Sequence, residues 1–198
     1  MAIVLEKGTK INLSKKQESL GKININLNWD NGKNQGFFAS LFGGNGIDLD
    51  LGCLYELKDG SIGAVQALGS SFGSYDKKPY MYLDGDDRSG SNSNGENLFI
   101  NGDKIKEIKR VLVYTFIYEG ITNWKEANGK VHIKVPGEDN IVINMDEYDS
   151  KLKMCALAMI ENVNNSNFSV EKLVRYFDGH KSMDEAYNWG LKWVPGRK

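Results

Sequence analysis

The densest run of chemistry-bearing side chains lies in residues 82–102, YLDGDDRSGSNSNGENLFING. Asp84, Asp86, Asp87, Asn92, Asn94, Glu96 and Asn97 set carboxylate and amide oxygens close together, and glycines at 85, 90 and 95 let the backbone turn so that they converge. Hard cations such as Ca2+ take roughly six to eight such oxygens. No His or Cys lies in the stretch, so zinc and copper are disfavoured by ligand softness. The spacing is not that of an EF-hand: counted from Asp84, the Gly position holds Ser89 and the closing Glu position holds Gly95. A bare solvated loop is the alternative reading, because acidic Gly/Asn loops are common on surfaces.

A second acidic group stands in IDLDLG, where Asp48 and Asp50 share one face of a strand and Leu49 and Leu51 take the other. Two carboxylates on a face turned into a core are costly. That face is therefore either solvated or neutralised by a partner. Asp30, at the end of the strand that closes in Trp29-Asp30, adds a further carboxylate. The expectation is a metal site at one end of the fold, built from Asp30, Asp48, Asp50, Asp84, Asp86, Asp87, Glu96 and Asn97.

Other chemistries have thin support. His132 alternates with Val131 and Ile133 in a strand, and His180 sits in the turn-like FDGHKS; neither has a Ser or Cys motif beside it that would build a catalytic triad. Asp86 with Glu96 is the one carboxylate pair suited to a hydrolase. GGNG at 43–46 lacks the Lys-Ser/Thr of a phosphate-binding loop. The basic runs KIKEIKR and KKP are short and interrupted, as on a solvated face rather than a nucleic-acid track. Trp124, Trp189 and Trp193 read as packing residues, with Trp189 and Trp193 the candidates for a partner-binding patch.

These residues need a scaffold, and the patterning predicts strands. KININLNWD alternates apolar and Asn residues, so Ile23, Ile25, Leu27 and Trp29 share a face. VLVYTFIYEG, rich in β-branched and aromatic residues, reads as a strand covered on both faces at the centre of a sandwich. KVHIKV and NIVINM form a hairpin about PGEDN. KMCALAMIENV and FSVEKLVRYF read as a final strand pair, the first with a short helix as its alternative. SMDEAYNWG carries a Ser182/Glu185 capping box and predicts a short C-terminal helix closed by Gly190. Turn signals at about ten-residue spacing give an all-β fold, an antiparallel β-sandwich with long acidic loops and one short helix. Residues 1–198 are expected to form a single domain.

A net charge of −1 gives no bulk attraction to nucleic acid or to an anionic membrane. No apolar run approaches the roughly 20 residues of a spanning helix, and MAIVLEKGTK is not a signal peptide. Cys53 and Cys155 sit singly in apolar segments and read as buried free thiols, consistent with a cytoplasmic protein.

Leu5-Glu6-Lys7-Gly8, the strand ending Leu27-Asn28-Trp29-Asp30, Asp48-Leu49-Asp50 and the element Gly85-Asp86-Asp87-Arg88-Ser89-Gly90 together resemble the TerD-domain tellurium-resistance family along nearly the whole chain. LDGDDRSG, GENLFING and IKRVLVYTFIYEG are similar to its TerA-like branch. The resemblance implies a compact β-sandwich that binds Ca2+ at acidic loops. It also implies a non-enzymatic role in bacterial stress response and tellurite resistance, with other proteins of that system as partners. Asn94-Gly95-Glu96-Asn97 stands where the family's acidic run is G-D-D-E, which removes carboxylate charge and implies weaker Ca2+ binding. YNWGLKWVPG stands in place of the family's W-K-F strand.

Overall fold

A computed structural model of the chain describes residues 2–13, 19–29, 47–85, 95–119, 124–145 and 151–195. Strands dominate: β1 (Ala2–Val4), β2 (Lys10–Asn12), β3 (Lys22–Asn28), β4 (Asp48–Leu57), β5 (Ile62–Val65), β6 (Gly73–Ser74), β7 (Met81–Leu83), β8 (Glu96–Asn101), β9 (Ile108–Glu119), β10 (Lys130–Lys134), β11 (Asn140–Asn144), β12 (Met154–Val163) and β13 (Asn167–Phe177). Among the described residues two α-helices join them, the single turn α1 (Trp124–Ala127) and α2 (His180–Tyr187). One sheet runs β1-β11-β10-β3-β8-β7-β6 and the other β2-β13-β12-β9-β4-β5.

The predicted sandwich is present, with one departure from antiparallel pairing: β1 lies parallel to β11. The opening segment divides between the sheets, since β1 pairs in the first and β2 pairs with β13 in the second. Gly8 at the turn holds φ +72, which a glycine adopts without steric cost, and its amide is bonded to the Lys172 carbonyl at 2.9 Å.

Alternation explains the core. Ile23, Ile25 and Leu27 of β3 and Leu98 and Ile100 of β8 meet Leu49, Leu51, Val111 and Val113 of the second sheet. Each of these side chains is wholly buried, and burying one contributes about 1.5–3 kcal/mol. β9 has its predicted central place, between β12 and β4. Leu54, Leu112, Tyr114, Phe116 and Met154 point to the opposite face of the second sheet, where Met183 and Trp189 cover them in a second cluster. Segment 154–163 is strand rather than helix because it closes the ladder between β9 and β13.

The C-terminal helix departs from its predicted start. It begins at His180, with Gly179 as its cap, so His180 is helical rather than in a turn. Ser182 lies within the first turn, and its hydroxyl accepts the Gly179 amide at 3.3 Å. Asn188 closes the helix in the left-handed region at φ +54, two residues before Gly190. Both cysteines are buried free thiols; burial pushes the Cys53 thiol up to about 12. Among the described residues no helix is long and apolar enough to cross a membrane.

Candidate functional site

Both carboxylates of the Asp-Leu-Asp strand are buried, Asp48 at 5% exposure and Asp50 at 0%. The solvated reading of that face is thereby corrected: β4 is covered on both sides. Leu49, Leu51 and Cys53 enter the core between the sheets, so Asp48 and Asp50 lie on the opposite face. Gly52 shares that face, and a Cβ there would come within 2.7 Å of the Tyr114 ring. Burial raises the Tyr114 phenol well above its usual range, with further contributions from Cys53 and from the neighbouring Asp50.

Glu96 approaches the same strand from the other sheet. It alternates with Leu98 and Ile100, which point inward, and is itself only 2% exposed. Its Oε2 accepts the main-chain amide of Leu51 at 2.6 Å. β5 covers β4 only from Cys53 to Glu56, so the Leu51 amide lies beyond that ladder and takes a side-chain acceptor instead. Asn97 points to the outside of its sheet, where its Oδ1 accepts Asn26 Nδ2 at 3.0 Å. Its carbonyl accepts the Asp84 amide at 2.8 Å. Glu96 and Asn97, neighbours in sequence, thus serve opposite faces.

The described residues that border four segments share one end of the sandwich. Trp29 Nε1 donates to the Ile47 carbonyl at 2.9 Å, tying the two ends of segment 30–46 together. Asp84 and Asn97 tie the ends of segment 86–94. Asp48 pairs with Glu119, which borders 120–123, and Trp124 Nε1 bonds the Leu152 carbonyl beyond 146–150 at 2.7 Å. Gly95 makes the entry into β8 possible. Its φ is +60, and a Cβ would lie 2.0 Å from the Leu27 carbonyl oxygen. The expected ligands Asp30, Asp86 and Asp87 lie outside the described residues, as does GGNG at 43–46. Among the described residues no three His, Cys, Asp or Glu groups form a cluster able to hold a metal. Sequence reasoning passed over Asp146, Glu147 and Asp149, in a segment bordered at this same end.

The other candidates are placed plainly. His132 lies on the outer face of the first sheet, with its pKa lowered by burial and then by Lys134 and Lys130. His180 packs edge-on to Tyr114 and Phe116, lies against Trp193, and is bonded to Gln66 Oε1 at 2.9 Å. Burial lowers its pKa to about 4. Trp189 is 4% exposed; its Nε1 donates to the Tyr55 carbonyl at 3.0 Å, and the Arg110 guanidinium stacks 3.8 Å above its ring. Trp193 is half-buried and donates to Asp184 Oδ2 at 3.0 Å.

The TerD domain model matches residues 1–132, two-thirds of the chain and the part that carries Asp48, Asp50, Asp84 and Glu96. The chain belongs to the TerD-domain family. It is 45% identical over 190 residues to the tellurium resistance protein TerA of Alcaligenes sp., a match covering 95% of the chain and 56% of TerA. The chain thus spans little more than half the length of that relative. It is 29% identical over 212 residues to the stress response protein SCP2 of Bacillus subtilis (strain 168), covering 98% of the chain and 89% of SCP2. A crystal structure of a TerD homologue from Streptomyces coelicolor A3(2) shares the fold, with TM-score 0.56 and 16% identity over 83% of this chain and 95% of that one. A crystallised protein of unknown function does so with TM-score 0.62 and 13% identity over 87% and 99%.

Proposed function

We propose that this TerD-family chain is a calcium-binding module of a bacterial stress response that includes tellurite resistance, acting through contacts with other proteins rather than by catalysis. The observation that carries the reading is the burial of Asp48, Asp50 and Glu96 at the end of the sandwich from which the oxygen-rich 86–94 stretch departs. Buried carboxylates are costly unless compensated, and a hard cation among oxygen donors is a chemically matched compensation. Asp48 and Asp50 on one face of β4, or Glu96 on its other face, would meet the cation, with Asp84 and, from the adjoining segments, Asp30, Asp86 and Asp87 as the remaining candidate oxygen donors. The bound ion would draw together carboxylates that otherwise repel, and so order a surface for a partner. Support for a non-catalytic role comes from the resistance and stress names of the relatives and from Glu96 itself. A carboxylate only 2% exposed and committed to the Leu51 amide is poorly placed to meet an external substrate.

The test is calcium titration of metal-free protein, followed by calorimetry and melting temperature. A binding heat with a rise in melting temperature is expected, since a ligand that prefers the native state raises stability. The absence of both a binding heat and a rise in melting temperature at millimolar calcium overturns the reading. Unaltered folding and partner binding in chelator would then favour a metal-independent scaffold.

A further inference from the structure

The outward face of the first sheet has an unusual composition for a strand surface. β3 presents Asn24, Asn26 and Asn28 there, between the core-facing Ile23, Ile25 and Leu27. Asn is depleted in strands, where its amide competes with the backbone ladder. Three in alternation on a strand paired on both sides run against strand propensity.

The register aligns these amides with their neighbours. One row across the sheet runs Tyr82, Phe99, Asn24, Lys134, and the next runs Asn97, Asn26, His132, Val142. Five asparagines, Phe99, His132 and Lys134 line a shallow open concavity of about 680 Å³, with no carboxylate among them. Asn28 Nδ2 donates to Asn26 Oδ1, and Asn26 Nδ2 to Asn97 Oδ1, so the central amides are held in fixed orientations. Asn24 Oδ1 is shielded from solvent and accepts no hydrogen bond from the described residues. His132, neutral near pH 7, offers one donor and one acceptor. The Lys22 ammonium lies 3.7 Å from the Phe99 ring centre, steadying a ring whose row continues to the 38%-exposed Tyr82.

We propose that this face is a saccharide-binding site, with the Asn24 and Asn97 amides and His132 reading hydroxyl groups beside the Phe99 ring, and Asn26 holding Asn97 in place. A sugar hydroxyl donates and accepts, as does each amide side chain, and an aromatic ring suits the apolar C–H face of a pyranose. Lys22, Lys130 and Lys134 are too few to make the face a track for a polyanion, whose affinity grows with each phosphate neutralised. The site is separate from the calcium reading, because Asn97 faces away from Glu96.

The experiment is backbone NMR and calorimetric titration, in chelator and again with calcium. The probes are neutral oligosaccharides of glucose, xylose, mannose, galactose and N-acetylglucosamine, with inorganic phosphate as a separate titrant. At least one sugar is expected to bind with a Kd of about 1 mM or tighter, shifting β3, β8, β10 and β11 in both conditions. Asn24→Ala and Phe99→Ala should each weaken it about tenfold. Lys134→Ala and Asn140→Ala, at exposed rim positions, carry the same test if the first two variants fold poorly. No binding by any sugar at about 10 mM, or binding untouched by all four substitutions, overturns the proposal. Shifts on this face from phosphate alone overturn it in favour of an anion site.

Discussion

The Glu96 carboxylate, carried by one sheet, accepts the Leu51 amide of the other at 2.6 Å. This bond fastens the two layers where β5 no longer covers β4. Glu96→Ala leaves a buried amide without its acceptor and is expected to cost about 1–3 kcal/mol. Glu96→Gln keeps a carbonyl oxygen in place and should cost less. Urea unfolding of both variants in chelator measures the difference apart from any metal effect. Stability unchanged in Glu96→Ala would remove the bond from the account of the fold.

Gly95 and Gly85, at the two ends of segment 86–94, separate backbone strain from steric clash. Both have positive φ, +60 and +87, but a Cβ at Gly85 meets nothing within 4 Å, whereas one at Gly95 strikes the Leu27 carbonyl oxygen. Gly85→Ala should therefore cost only the conformational penalty, about 1–2 kcal/mol. Gly95→Ala should cost more, about 3 kcal/mol or above, because β3 and β8 must part to admit the methyl. Chemical denaturation of the two variants side by side gives the ordering; equal losses would refute it.

His180 predicts a pH dependence of defined sign. Its pKa is about 4 in the folded chain against 6.5 for the free side chain, so between those values the unfolded chain binds a proton that the folded chain refuses. Stability from this residue is complete above pH 6.5 and declines as the pH falls towards 4. The slope is at most about 1.4 kcal/mol per pH unit and the total about 3 kcal/mol. His180→Phe retains an aromatic ring among Tyr114, Phe116 and Trp193 but does not titrate. Its urea midpoint should fall less between pH 7 and pH 4.5 than that of the parent. Parallel curves would show that His180 is not the group responsible.

The sandwich was legible because its strands carry strong signals: the alternation of Ile23, Ile25 and Leu27, and the continuous apolar run of β9. Alternation reports which residues share a face but not what covers that face. Asp48 and Asp50 could therefore be placed on one face from sequence, while the burial of that face could not. Glu96 and Asn97 looked equivalent as oxygen donors, and strand parity sends them to opposite sides of the sheet. The Asn24, Asn26 and Asn28 series was visible only as the polar half of a strand. Its meaning lies in registers with β8 and β10, which join residues far apart in the chain. The helix start was misplaced because Ser182 satisfies the capping pattern from inside the first turn, where Gly179 carries no side chain to signal the cap.

Asp184, 4% exposed, holds the chain that follows α2. Its Oδ1 accepts the Gly190 amide at 2.8 Å, and its Oδ2 accepts the Leu191 amide and Trp193 Nε1, each at 3.0 Å. Asp184→Ala removes all three acceptor contacts, and Asp184→Asn turns an NH2 group towards donors, so both should cost about 2–4 kcal/mol. Trp189 has separate anchors in the Tyr55 carbonyl and the Arg110 guanidinium. The expected effect is therefore selective: residues 190–195 loosen and Trp193 enters water while Trp189 stays covered. A partial red shift of tryptophan emission, faster proteolysis after Asn188 and unchanged far-UV circular dichroism would be its signature. If Trp189 and Trp193 form a partner surface, this variant presents Trp193 alone, and its loss or gain of partner binding assigns the contribution of that ring. Emission and proteolysis identical to the parent would show that the carboxylate does not hold the segment.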